Sequence, residues 1–240
     1  MHRNKNQSDM NTLPINVYNL IILDESGSMH SIYRQALDGI NETINGIRLT
    51  QEKYPEQKHF VSIVTFEGDG MAGVKVRRDA IPVCSLENFT EKDYCPGGCT
   101  PLYDAIGKGI KEIEQKTGKG DSVLVTIITD GLENSSREFS GKAVKEMIAK
   151  MREKGWTFAY LGANQDAVEV AEDLNIRNSL SWDATPSGSI DMMCRVTDAQ
   201  ARFAENLHCR MTRRAGAAKI YKEMTNLFNE LSKEPEDREE

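Results

Sequence analysis

Nearly continuous apolar runs alternate along the chain with stretches whose apolar residues recur at helical spacing. The first run, INVYNLIILD over Ile15–Asp24, shows little polar alternation. Such a run predicts a strand buried on both faces, as in the middle of a parallel sheet. From about Ser31 to Lys53 the period changes, and Ile32, Ala36, Ile40, Ile44 and Ile47 fall on one helical stripe. HFVSIVTFE (His59–Glu67) predicts a second strand. A turn at Gly68–Gly70 then sends MAGVKVRRDA back as an antiparallel strand. A long loop leads into a helix over Pro101–Lys116, with Pro in its first turn and Thr100 beside its start. SVLVTIITD (Ser122–Asp130) predicts a strand that ends in an acid, as the first one does. After it come a helix with Ser140 as cap and Gly155 as stop, a strand in WTFAYLGA, a helix in DAVEVAEDLNI and a short strand in NSLSWDA.

Strands alternating with helices predict an α/β fold with a doubly wound, mostly parallel six-stranded sheet and helices on both faces. Residues 1–14 are expected to form a flexible leader, 15–185 the sheet domain, 186–232 a helical extension and 233–240 a charged tail. In the extension, Ile190, Met193, Val196, Phe203, Leu207, Met211, Tyr221, Met224, Phe228 and Leu231 lie at spacings of one helical face. One long helix is expected there, or two broken near Gly216, packed on the sheet domain or turned towards a partner.

The formal charge of −7 argues against general nucleic-acid affinity. No apolar stretch reaches the length of a membrane span, and the polar beginning of the chain has no signal-peptide core. Five cysteines in a chain of 240 residues do not suggest a disulfide framework. Cys95 and Cys99 stand as C-x3-C with no second pair nearby, which reads as free thiols rather than zinc ligands. These features point to the cytoplasm.

Doubly wound sheets bind ligands at the carboxyl ends of their strands. Asp24 and Asp130 are predicted at two such ends, with Ser26 and Ser28 just past the first and Thr100 at a helix start on the same rim. All five are oxygen donors, which suit Mg2+ (or Mn2+ or Ca2+) better than zinc. In an extended loop, positions 24, 26 and 28 point to one side. Hydroxyls of Ser26, Ser28 and Thr100 would touch the ion, while Asp24 and Asp130 orient them and hold its waters. Such an ion keeps its electrophilic character and accepts a carboxylate from outside.

These motifs carry a resemblance. LDESGSM resembles the D-x-S-x-S motif of von Willebrand factor A domains, the integrin I-like fold. GGCTPLYDAI resembles the family's second loop, with its metal-binding threonine, and TDGLENS its third, with its acid. The resemblance covers roughly Ile15 to Trp182, and GANQDAVEVAEDLNI is similar to a segment of intracellular bacterial members. It implies one antiparallel edge strand and a metal-ion-dependent adhesion site at Asp24, Ser26, Ser28, Thr100 and Asp130. It also implies a protein partner whose acidic side chain completes the coordination, in assemblies that commonly include ATPases, kinases or phosphatases.

Two other readings stand beside this interaction module. A Mg2+-dependent phosphoryl-transfer or hydrolytic enzyme would share the strand-end aspartate, but phosphoryl transfer wants a cluster of acids on the metal. ESGSM is not the G-x-S-x-G of a serine hydrolase, and no phosphate-binding glycine loop is present. A scaffold acting through its C-terminal helices would leave the five site residues without a role.

Overall fold

Strand β1 (Ile15–Asp24) is buried almost throughout, as its apolar sequence requires. It lies mid-sheet, pairing in parallel with β2 (Gln57–Phe66) and β4 (Ser122–Thr129). The computed structural model describes residues 14–163, 166–212 and 223–228. The described residues include β3 (Val74–Pro82), β5 (Thr157–Ala163) and β6 (Asn178–Trp182), and form a six-stranded sheet ordered β3-β2-β1-β4-β5-β6. All neighbours are parallel except β2 and β3, so the antiparallel strand sits at the edge, as expected.

Alternation along β1 feeds two cores. Leu20 and Ile22 join a cluster with α2 (Leu102–Glu114), α3 (Gly141–Glu153) and α4 (Ala167–Asp173). Ile21 and Leu23 face α1 (Tyr33–Lys53) and α5 (Pro186–Thr212) on the other side. Each such side chain contributes roughly 1.5–3 kcal/mol of burial. The caps match the sequence: Ser140 Oγ accepts the Ala143 N–H at 3.3 Å, and Gly155 turns with φ 91°. The start of α1 differs. Residues Gly27–Ile32 form a 3-10 turn first, so the regular helix begins two residues later than its apolar stripe suggests.

Helix α5 lies against α1 at two glycines. A Cβ on Gly39 would stand 2.3 Å from Met193 Cγ, and one on Gly46 would stand 2.9 Å from Thr197 Cγ2. The expected helical stripe runs through α5; of its later members, Tyr221 and Leu231 lie outside the described residues. Met224 and Phe228 are not helical. Residues 223–228 instead lie at the amino ends of the strands, where Met224 and Leu227 cluster with Ile15, Val17, Leu124 and Phe203. Side chains of the sheet take the backbone groups of this segment, and Asn226 adopts φ 64°, which no α-helix accommodates. The possible break at Gly216, the leader apart from Pro14, and the charged tail lie outside the described residues. No described helix is long and apolar enough to cross a membrane.

Candidate metal centre

At β1 and β4 the connections part to opposite faces: the chain leaves β1 for α1 on one face, and leaves β4 for α3 on the other. That divergence opens a crevice at the carboxyl ends of the two strands. Asp24 closes β1 there with no exposed surface. Its Oδ1 accepts the Ser26 N–H at 2.7 Å, an Asx turn that bends the chain out of the strand. Its Oδ2 lies 2.5 Å from Thr129 Oγ1, at the end of β4. Ser26 Oγ then lies 3.1 Å from Ser28 Oγ, and the Ser28 hydroxyl donates to Asp130 Oδ1 at 2.5 Å. Four of the five expected residues thus form one connected group.

Thr100 reaches the group from the start of α2. A Cβ on Gly131 would stand 3.2 Å from Thr100 Oγ1 and 3.8 Å from Ser28 Oγ. The two hydroxyls therefore flank one spot that stays open because residue 131 is glycine. Thr100 is held by a reciprocal pair: its N–H donates to Asn134 Oδ1 at 2.8 Å, and its carbonyl accepts the Asn134 N–H at 3.2 Å. Helix α2 begins without a cap of its own, so its first N–H groups need outside acceptors. Glu133 takes the Tyr103 N–H at 2.8 Å and Ser136 Oγ takes that of Asp104 at 3.0 Å. In return, the buried Asp104 carboxylate accepts the N–H groups of Arg137, Glu138 and Phe139. The loop after Asp130 and the helix after Thr100 are thereby locked together.

A second lock joins the first loop to the loop before Thr100. Glu25 is fully buried, pairs with Arg77 of β3 at 2.9 Å and accepts the Cys95 N–H at 2.6 Å. Its carbonyl accepts the Gly97 N–H at 2.8 Å. Tyr94 donates to the Asp24 carbonyl at 2.8 Å. Gly98 closes this lock at φ 68°, where a Cβ would stand 2.7 Å from the Gly68 nitrogen.

The charges are distributed unequally. Glu25 has an arginine, whereas Asp24 and Asp130 are met by hydroxyl and N–H donors, with no lysine or arginine paired to either among the described residues. Burial pushes Asp24 up to about 6, with the Asp130 charge adding to it and hydrogen bonds from Thr129 and Ser26 opposing it. Burial also raises Asp130, against the Ser28 hydrogen bond. Two uncompensated carboxylates behind three hydroxyls fit a hard divalent cation, whose charge would reverse both shifts. The thiols offer no comparable site. All five cysteines are free, and the described residues contain no group of three His, Cys, Asp or Glu able to hold a metal.

Several of these residues escaped the sequence reading. Thr129 carries a usable signal, a hydroxyl directly before Asp130 in an otherwise apolar strand. Asn134, Asp104 and the Glu25–Arg77 pair carry none, because only the fold brings together positions 33 to 52 residues apart.

No family model and no curated protein matches the chain. Solved structures do match. The pilus adhesin SpaC from Lactobacillus rhamnosus GG, in its open conformation, gives a TM-score of 0.60 at 12% identity over 81% of this chain and 30% of its own. The SpRpn10 VWA domain gives 0.54 at 12% identity, covering 74% of this chain and 93% of the domain. A von Willebrand factor type A protein from Catenulispora acidiphila gives 0.52 at 14% identity, covering 77% and 43%. The chain therefore spans less than half the length of the first and the last of these. The chain carries the fold of the von Willebrand factor A domains.

Proposed function

We propose that the chain is a metal-dependent protein-interaction module. Ser26, Ser28 and Thr100 would hold Mg2+ (Mn2+ or Ca2+ being the alternatives) through their hydroxyls, with Asp24 and Asp130 orienting them and holding its water. The bound ion supplies an electrophilic position that an acidic side chain of a protein partner completes. The observation that carries this reading is the contrast between adjacent acids: Glu25 has its arginine, while Asp24 and Asp130 face only O–H and N–H donors. Buried carboxylates are ordinarily paired or coordinated to a metal. Neutral hydroxyls beside them leave the ion with unspent charge for an outside carboxylate.

In this reading the serines are ligands rather than nucleophiles. The Ser28 hydroxyl donates its hydrogen bond to a carboxylate, Asp130, and His30 is exposed and hydrogen-bonded to neither serine. The partner belongs to a cytoplasmic assembly and is an ATPase, kinase or phosphatase in the pattern the resemblance implies. Calorimetric titration with Mg2+ tests the core of the proposal. Asp24→Ala should weaken binding by tenfold or more. Equal affinity in parent and variant would overturn the site assignment.

A further inference from the structure

Residues 223–228 lie at the opposite pole from Asp24 and join no strand pairing of the sheet. They are held the way a bound peptide is held. Asn178, 2% exposed at the start of β6, uses both ends of its amide: Nδ2 donates to the Met224 carbonyl at 3.0 Å, and Oδ1 accepts the Leu227 N–H at 3.1 Å. Thr157, 1% exposed at the start of β5, accepts the Met224 N–H at 3.0 Å. Arg202 of α5 donates to the Leu227 carbonyl at 3.1 Å. Arg152, at the end of α3 with its side chain 9% exposed, donates to Glu223 Oε1 at 2.9 Å. Met224 and Leu227 fill the apolar floor, while Thr225 and Asn226 face solvent. The turn at Asn226 needs the left-handed conformation that asparagine tolerates better than most residues.

We propose that this pole is a second binding site, specific for a peptide of the form Glu-Met-x-x-Leu, whose ligand is residues 223–228 of this chain. Five side chains read backbone groups and one carboxylate, with Arg177 Nη1 lying 3.5 Å from Glu223 Oε2 beside the buried Arg152. None of these contacts depends on the segment being covalently joined to α5, and ten residues separate Thr212 from Glu223. Arg152 decides the acidic residue: with Glu223 gone, its buried guanidinium would lose its carboxylate, a strongly unfavourable outcome. Asn178 decides the spacing, because its two amide atoms meet backbone groups three residues apart. Tethering gives the chain's own segment an effective concentration of roughly millimolar, so the site is closed to a free peptide at low concentration. The site stands apart from the metal chemistry of the other pole.

The test uses the full chain and a fluorescent peptide with the sequence of residues 221–230. The unaltered protein should show no micromolar binding. A chain carrying Met224→Asp and Leu227→Asp, which expels its own segment, should bind the peptide saturably. Changing the peptide's glutamate at position 223 to glutamine should weaken this at least tenfold, and changing its threonine at position 225 to alanine should not. Failure of a folded double variant to bind, or equal binding of all three peptides, overturns the site. Where the double variant does not fold, hydrogen exchange of the unaltered chain decides. Excess peptide should accelerate the Met224 and Leu227 amides, while the glutamine peptide leaves them slow. Identical exchange with both peptides refutes the proposal.

Discussion

Residue 131 shows how much the proposed site depends on an absent side chain. The open spot between Thr100 and Ser28 exists because Gly131 presents no methyl group there. Gly131→Ala would place a carbon 3.2 Å from Thr100 Oγ1, tighter than ordinary van der Waals contact. The expected result is a roughly tenfold loss of Mg2+ affinity, read by calorimetry. The melting temperature without metal should move little, because Gly131 is only partly buried. An unchanged affinity would place the ion elsewhere. The donors were legible in the sequence, since their spacing past two apolar runs marks the strand ends. The glycine was read only as part of TDG.

At the scale of elements, the contact between α1 and α5 is set by residues too small to register as apolar pattern. Gly39 lets Met193 occupy the space where a Cβ would otherwise be. Gly39→Ala forces Met193 aside and should destabilise the protein by about 1–3 kcal/mol, measured by urea denaturation. Adding Met193→Ala should cost less than its effect in the parent, because the alanine at 39 refills part of the vacated volume. Strict additivity would show that the two residues do not compete for that space. Hydrophobic period made α5 and the six strands readable. It misled at Met224 and Phe228, which fit a helical stripe but are not helical. Hydrogen bonds from Thr157 and Asn178 took the backbone groups that a helix would have used. Propensity is a weak prior against such tertiary partners.

For the molecule as a whole, two buried groups give the stability opposite pH slopes. His59 is lowered to about 4 by burial. Its Nδ1 lies 3.3 Å from Asn19 Nδ2, and its Nε2 lies 3.2 Å from Gln57 Oε1, so the neutral ring is satisfied on both sides. Between about 4 and the usual 6.5 the unfolded chain holds the extra proton, and acidification through that window should cost about 3 kcal/mol. Asp24, raised to about 6, works the other way: the folded chain holds the extra proton, so acidification from about 6 towards 3.8 stabilises by a similar amount. The metal-free protein should therefore show a shallow pH dependence from these two groups, and His59→Gln should uncover the Asp24 slope. Bound Mg2+ would compete with the Asp24 proton. Thermal melts should show the gain from Mg2+ at pH 7 shrinking by pH 5, and a gain independent of pH would remove Asp24 from the site.

Strand β3 has one more consequence, for the behaviour of many copies together. A sheet edge exposes unpaired backbone groups that invite a strand from a neighbouring molecule. Here that edge carries Lys75, Arg77, Arg78 and Asp79, ends in Pro82, and is kinked by register shifts opposite Val61–Val64 and by Ala80 at φ 49°. Lys75, Arg77 and Arg78 are each held in place by an acid, Glu67, Glu25 and Asp93. The ion pair that locks the first loop thus also helps keep the edge charged and fixed, so this side of the sheet is guarded against fibrous stacking.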